Sequence, residues 1–479
     1  MRARIFAEEN RRWWTLGALS FALFMIMLDN TIVNVALPAI KNDLHIGVSE
    51  LEWVVTAYAL TFAVLLLTGG KLGDLFGRRL IFTIGLVVFT ASSLACGLSS
   101  SATELIGARA VQGVGSALMM PATLSIITAT FAARERGMAI GIWAGVSAMA
   151  LAIGPLLGGV ITEHISWNWI FYVNVPIGLL GILASIVVVP ESKDTSHEQR
   201  LDLPGLLASG VGLLALVYAL IEAHHYGWTS ATILGLFAVA ASALTAFVLL
   251  EQRQRLPMLD LTLFRNGTFA GANLVAILVT LAMFGIFVFF PIYMQTFLGW
   301  SPIQAGAALL PWTILIVIFA PIAGKLSDKV GSRWLIAAGM TTVGLCCLEL
   351  STVAVGSTFW RLLPGFILGG LGMSFVMTPM SAAVMGAAPV DKAGVASGVL
   401  NTFRQVGVAL GIAIMGAIIT NREAAALRAG DDGPHAFVHG LTFGMRVSAV
   451  ICFGAAIAAA VLVRKYQHAE QAQPLAEAA

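Results

Sequence analysis

Charge is what this chain lacks most. Of 479 residues only 11% are Asp, Glu, Lys or Arg, against about 25% in a soluble globular chain. With 58% hydrophobic residues beside so few charges, no soluble domain of any size fits. The net charge is +2 and no basic stretch lies outside short loops, so nucleic acid is not an expected partner. Cysteine is scarce too. Cys96, Cys346, Cys347 and Cys452 all fall within apolar runs and have no zinc or redox spacing, so they read as small buried hydrophobes and no metal site is expected. A GxxxxGK[ST] loop is absent, which argues against ATP drive. No nucleophile–base pair, ligand set or cofactor site stands out, which argues against an enzyme. Nor is a cleavable leader expected: the first apolar run is long and continues into a polar stretch, so it reads as a retained helix.

Long apolar runs are abundant. Runs of about 20 residues suit helices that cross a hydrocarbon core about 30 Å thick. Fourteen are expected: 15–37, 52–70, 80–98, 103–122, 137–160, 169–189, 203–222, 230–250, 268–290, 303–323, 334–354, 360–381, 395–419 and 442–463. The fold class is therefore all-α and integral to the membrane. With the N-terminus inside, twenty of the 27 Lys and Arg fall in cytoplasmic segments and five, Lys41, Arg361, Arg422, Arg428 and Arg446, at the outer side. That bias, with an even number of spans, predicts both termini in the cytoplasm.

One segment occurs twice. Gly70–Arg79 reads GKLGDLFGRR and Gly324–Arg333 reads GKLSDKVGSR, each closing one apolar run and opening the next. A charged, Gly-rich turn used once per half indicates internal duplication, an organisation typical of secondary transporters. Equivalent halves then cover spans 1–6 and 9–14, with spans 7 and 8 inserted. The expected domains are a cytoplasmic N-terminus 1–14, a six-helix bundle 15–189, linkers with two extra helices 190–267, a second six-helix bundle 268–463, and a cytoplasmic tail 464–479.

Ionisable groups inside spans are the first candidates for function. Asp29 lies about 21 Å from the inner face, and Arg109 about 9 Å below the outer one. In a 30 Å core these depths coincide, so the two charges can interact. A carboxylate that loses its arginine in an apolar cavity takes up a proton, so a conformational change could load and release one; a static ion pair that fixes helix packing is the plainer alternative. Asn30 and Asn34 share a helix face beside Asp29, and Gln112 shares one with Arg109. Arg404 lies about 14 Å deep, too far for easy snorkelling. In the repeated turn, Gly70, Asp74, Gly77, Arg78, Arg79, Asp328 and Arg333 could form a latch, since an Asp among cations can pair with them or with a helix N-terminus. Span 5 carries small-residue stripes through Gly145, Gly154, Pro155, Gly158 and Gly159, which suit close packing, a hinge or a seal between bundles. Tyr58, Met119, Phe284, Phe287, Tyr293 and Gln295, with Asn30, Asn34, Gln112 and Arg404, are candidates for a pocket taking flat, cationic or lipophilic molecules.

Together these motifs make the chain resemble the fourteen-helix drug:proton antiporters of the major facilitator superfamily. The turn at Gly70–Arg79 is similar to that superfamily's loop signature. LIGARAVQGVGSA around Arg109 resembles its fourth-helix motif, Gly145–Gly159 its antiporter motif, and LDNTIVNVALP around Asp29 the first-helix motif of this branch. The second turn departs from the first, with Ser332 where Arg78 stands, so its latch is expected to be weaker or differently paired. The resemblance implies two six-helix bundles plus two inserted helices, a central cavity and a bacterial inner-membrane location. It also implies alternating access driven by the proton gradient without a cofactor, with Asp29 taking protons and Arg109 modulating it. Expected partners are small lipophilic or cationic substrates, protons and lipid. A monomer is expected, with room for an envelope partner. The cargo stays open between varied drugs and one endogenous antibiotic, lipid or metabolite, and an importer fits less well.

Overall fold

The computed structural model describes residues 8–46, 48–193, 202–254, 257 and 259–464. Residues 1–7 and 465–479, which make up half or more of the expected terminal segments, lie outside them, as does 194–201 of the first linker. Fourteen long helices dominate: α1 Glu8–Leu44, α2 Val48–Phe76, α3 Arg78–Leu98, α4 Ala102–Thr130, α5 Arg136–His164, α6 Asn174–Val188, α7 Leu203–Tyr226, α8 Ala231–Arg253, α9 Gly267–Ile292, α10 Leu310–Val330, α11 Arg333–Leu350, α12 Phe359–Ala387, α13 Ala393–Ala429 and α14 Gly433–Leu462. Short helices Trp169–Tyr172 and Pro302–Ala308 lead into α6 and α10, and α9 ends in a π-turn at Tyr293–Phe297. Among the described residues, 13 helices are long and apolar enough to cross a membrane; α5, a helix of 29 residues, stands where a further span is expected. No strand occurs among the described residues.

Between helices in lipid the hydrophobic effect supplies little drive, so close packing of small residues takes its place. A Cβ on Gly69 would lie 2.2 Å from the Ala117 carbonyl oxygen, and one on Gly113 2.5 Å from that of Tyr58, so α2 and α4 meet backbone to backbone. Gly372 on α12 sits as tightly against Val343 on α11. Side chains such as Val450, Ile457 and Leu180 point outward, as an apolar solvent requires.

Helices α1 to α6 pack on one another, as do α9 to α14, and the two bundles meet along α5–α10 and α2–α13. The inserted pair rests on that seam: α7 contacts α2 and α13 as well as α8. Only 17% of the apolar window of α8 is buried, against 83% for α4, so α8 is the most peripheral span.

Two helices outrun their expected spans. α1 and α13 each have 37 residues, about 55 Å of helix for a 30 Å core. The extra turns of α13, NREAAALRA, are polar but rich in helix formers, so the helix continues beyond the apolar run. It stops at Gly430, whose φ of 103° is left-handed, and Asp432 then caps α14.

Candidate functional site

Asp29 on α1 is fully buried, and its carboxylate is saturated by donors from two other helices. Arg109 Nη1 on α4 donates to Oδ2 at 2.5 Å. Gln112 Nε2, one turn further along α4, donates to Oδ1 at 2.9 Å, and Asn174 Nδ2 on α6 donates to the same oxygen at 3.2 Å. Arg109 also donates from Nη1 to Gln112 Oε1 at 2.7 Å and from Nε to the Val54 carbonyl at 3.2 Å, while its guanidinium sits 4.2 Å from the centre of the Tyr58 ring. Two opposite charges in low dielectric thus have their mutual attraction reinforced by neutral donors and by a ring face, which a buried pair requires.

A polar string leads away from the pair. Tyr58 meets Arg109 with its face, and its hydroxyl accepts from Asn30 Nδ2 at 3.3 Å and lies 2.8 Å from Ser116 Oγ. Asn34, which is exposed, donates to the Asn30 carbonyl at 3.1 Å. Asn34 at the accessible surface and buried Tyr58 thus flank Asn30, and Tyr58 meets the pair through its ring face on Arg109.

The two repeated turns lie on one face of the molecule and clasp opposite bundles. Asp74, at the end of α2, accepts from the backbone N–H groups of Gly394 at 3.0 Å and Val395 at 2.8 Å, the first turn of α13. Asp328, at the end of α10, accepts from those of Gly137 at 2.9 Å and Met138 at 3.1 Å, the first turn of α5. Each half thus caps a helix of the other, placing an anion where the helix dipole is positive. Arg78 completes the first clasp, donating to Asp74 from Nε at 3.0 Å and to the Val390 carbonyl from Nη2 at 2.6 Å. Its counterpart Ser332 lies 2.7 Å from Ser327 Oγ instead. Gly77 and Gly331 have φ of 116° and 86°, which accounts for the glycine both turns share. Arg79 lies 3.6 Å from Glu191, and Arg333 Nε donates to the Ala460 carbonyl at 2.6 Å, each within its own half.

Close backbone approach accompanies the clasps. A Cβ on Gly70 would lie 2.2 Å from the Gly394 carbonyl oxygen, and one on Gly137 2.5 Å from that of Gly324. Along α5 the separation from α10 grows, with Gly141 at 2.5 Å from Ala320 O and Gly145 at 3.4 Å from Val317 O. Further on, α5 turns its glycines to its own bundle: Gly154 meets Thr31, and Gly158 meets Ile32, both on α1. Gly159 has nothing within 4 Å, so it is no packing glycine. The Pro155 side chain lies outside the described ones, and α5 runs unbroken through that position. Helix α13 repeats the arrangement, with Gly394 and Gly398 on α2 and Gly407 and Gly411 on α9.

Of the residues expected to face a substrate, several do not. Met119 is fully buried beneath Gly85, and Tyr293 is fully buried with its hydroxyl donating to the Ala354 carbonyl at 2.6 Å. Tyr58 and Gln112 belong to the charge network, because helix packing turns them onto Asp29 and Arg109. Gln295 is exposed, and Phe287 is half-buried, edge-on to Trp312 at 5.4 Å. Arg404 donates from Nη2 to Ser381 Oγ at 2.7 Å, and its Nε has no partner. The Phe284 side chain lies outside the described ones.

Two residues were missed. Asn174 bridges Asp29 and Ser93 Oγ, and an amide inside the apolar run NVPIGLL was its only signal. Glu191 caps α3, its carboxylate accepting from Arg79 N at 3.0 Å and Leu80 N at 3.2 Å. Nothing in its linker distinguishes it from a solvated acid.

Two helical bundles, each with its own charged turn and with a sealed ion pair inside one of them, define a multi-pass membrane protein of the transporter class. Residues 19–412 and 272–478 match the Major Facilitator Superfamily, and the chain belongs to that family. It is 38% identical over 464 residues to the puromycin resistance protein pur8 of Streptomyces alboniger, covering 95% of this chain and 91% of that one. It is 34% identical to the tetracenomycin C resistance and export protein of Streptomyces glaucescens (86% and 77% covered) and 38% identical to the multidrug resistance protein Stp of Mycobacterium tuberculosis (85% and 75%). Among solved structures the proton:xylose symporter XylE superposes with a TM-score of 0.69 at 14% identity, covering 96% of this chain and 97% of that one, a likeness of fold alone.

Proposed function

We propose that this protein is a proton-coupled antiporter of the bacterial cytoplasmic membrane that exports lipophilic, often cationic compounds by alternating access. The observation that carries this reading is the sealed Asp29–Arg109 pair, with its polar string to an exposed asparagine. Separating the pair leaves a carboxylate that binds a proton, and restoring it expels that proton; the motion that exchanges the faces therefore moves protons. No cofactor takes part, and the proton gradient supplies the drive. The bias of twenty Lys and Arg against five puts both termini and both clasps in the cytoplasm, so the clasped state faces outward. Glycines 137, 141 and 145 of α5 serve as the sliding seam, and Asp74 and Asp328 as the inner latch. The two six-helix bundles, 15–189 and 268–463, move as the rocking units of a monomer, with the inserted pair between them. The export and resistance roles in the names of three relatives support the direction of transport.

The cargo has a second reading, one endogenous antibiotic or metabolite, because two of those relatives are named for single compounds. Ethidium efflux from energised cells, with and without a protonophore and beside Asp29→Asn, tests both readings. Efflux that collapses in both controls is the expected result. Normal proton-driven efflux by Asp29→Asn defeats the coupling assignment. A folded, well-expressed protein that never moves ethidium transfers the weight to a dedicated cargo.

A further inference from the structure

The base of the inserted helix pair holds a second pair of ionisable groups, remote in sequence from Asp29 and unused by the mechanism above. Asp202 caps α7 and Glu251 lies in the last turn of α8; they are 7% and 4% exposed. Each carboxylate is half satisfied. Asp202 Oδ1 accepts from Gly205 N at 2.9 Å and from Gln254 Nε2 at 2.8 Å, and Glu251 Oε2 accepts from Leu259 N at 3.1 Å. The other two oxygens, Asp202 Oδ2 and Glu251 Oε1, are buried with no donor. They converge on one point: a Cβ on Gly205 would lie 2.1 Å from the first and 2.9 Å from the second. The two orphaned oxygens thus share one small space beside Gly205.

Two ionised carboxylates cannot face one another in this way. Both facing atoms would be acceptors, both charges would be buried, and each orphaned oxygen would carry its full desolvation cost. Lys71 of α2 is the cation whose charge reaches Glu251, but its ammonium is bonded to the Pro257 carbonyl at 3.3 Å and donates to neither acid. Lys392, which precedes the first turn of α13, is engaged by Asp260 at 2.7 Å. A hard metal ion would need about six oxygens, and the remaining oxygens here are already taken up by N–H donors. A single proton between Oδ2 and Oε1 satisfies both orphans at once.

We propose that Asp202 and Glu251 form a second proton-binding site, sharing one proton at neutral pH, which fastens the linker after α8 against the clasp. The connection is direct. Glu251 holds the linker at Leu259, Lys71 of the first repeated turn holds it at Pro257, and Lys392, at the mouth of α13, holds it at Asp260. Losing the proton sets two anions against each other where the linker is pinned, and so releases it from α2 and α13. The site does not depend on the cargo or on Asp29.

Infrared spectroscopy of the full-length protein in lipid nanodiscs reads the proton directly, through the carbonyl stretch of a protonated carboxyl group. The wild type should show such a band at neutral pH that disappears as the pH is raised. Glu251→Gln and Asp202→Asn should each remove one carboxyl group's worth of that band, because the amide then donates to a partner that is left ionised. A wild type with no titrating protonated carboxyl group above neutral pH overturns the proposal, as does a band unchanged in whichever of the two variants folds.

Discussion

Arg109 makes more bonds than an ion pair needs, and their geometry decides which substitutions it tolerates. One side chain reaches Asp29, Gln112 and the Val54 carbonyl while lying over Tyr58. Lysine has the charge but neither the planar fork nor the flat stacking face. Arg109→Lys is therefore expected to abolish ethidium efflux while the protein still elutes as a folded species from size-exclusion chromatography. Arg109→Ala is harsher, since stranding a buried charge costs about 3–5 kcal/mol, and it should lower the melting temperature as well. The charge pair was legible in the sequence because membrane depth follows from counting residues along a helix. Asn174 was not, because which helix faces which is a matter of packing, and an amide in an apolar run declares a hydrogen bond without naming its partner. The aromatic candidates show the same limit from the other side. Tyr293 and Phe287 are chemically similar, yet one is fully buried with its hydroxyl on the Ala354 carbonyl and the other packs half-exposed against Trp312.

At the scale of elements, the seam between bundles has no slack beside the clasps. A methyl group on Gly70 would overlap the Gly394 carbonyl oxygen, which is backbone and cannot move aside without α2 and α13 parting. Gly70→Ala is thus expected to open the clasped face rather than unfold the chain. Spin labels at Phe76→Cys and Val390→Cys, both exposed, report it, since the four native cysteines are buried and stay unlabelled. Their separation should lengthen in Gly70→Ala, and an unchanged distance would contradict the seam. The linker beside this face responds to acid in a defined sense. Burial raises the Asp260 carboxyl, but the Lys392 and Thr262 hydrogen bonds outweigh it and hold the group below the usual carboxylate range. A lowered folded value contributes stability that is present above the ordinary carboxylate range, about pH 4, and is lost as the pH falls through the lowered one. Hydrogen exchange across residues 259–265 should accordingly accelerate only in strong acid, and Lys392→Ala should bring that onset to milder pH.

At the scale of the molecule, the duplication visible in GKLGDLFGRR and GKLSDKVGSR becomes a pair of reciprocal helix caps. The fold class was legible because hydrophobic run length is a strong signal in a membrane. The long extensions of α1 and α13 were not, since hydropathy reports where lipid ends and not where a helix ends. Reciprocity itself could not be read, because the turn sequence does not say which helix its aspartate caps. Asp74 serves α13 and Asp328 serves α5, so each clasp crosses between bundles on a different pair of helices. A charge-assisted hydrogen bond is worth about 1.5–3 kcal/mol, and a bond present in only one conformation biases the equilibrium by that amount. Asp74→Ala and Asp328→Ala should each favour the unclasped state by at least about tenfold. Because the two clasps share no helix, their effects should multiply in the double variant. Distances between labels on the two bundles test this. The single variants should populate a second, longer distance, and the double variant should make it dominant, with efflux lost because the clasped state is no longer reached. If the double variant matches Asp74→Ala alone, the lock is one-sided, and the second turn only positions α11 and α14 through Arg333.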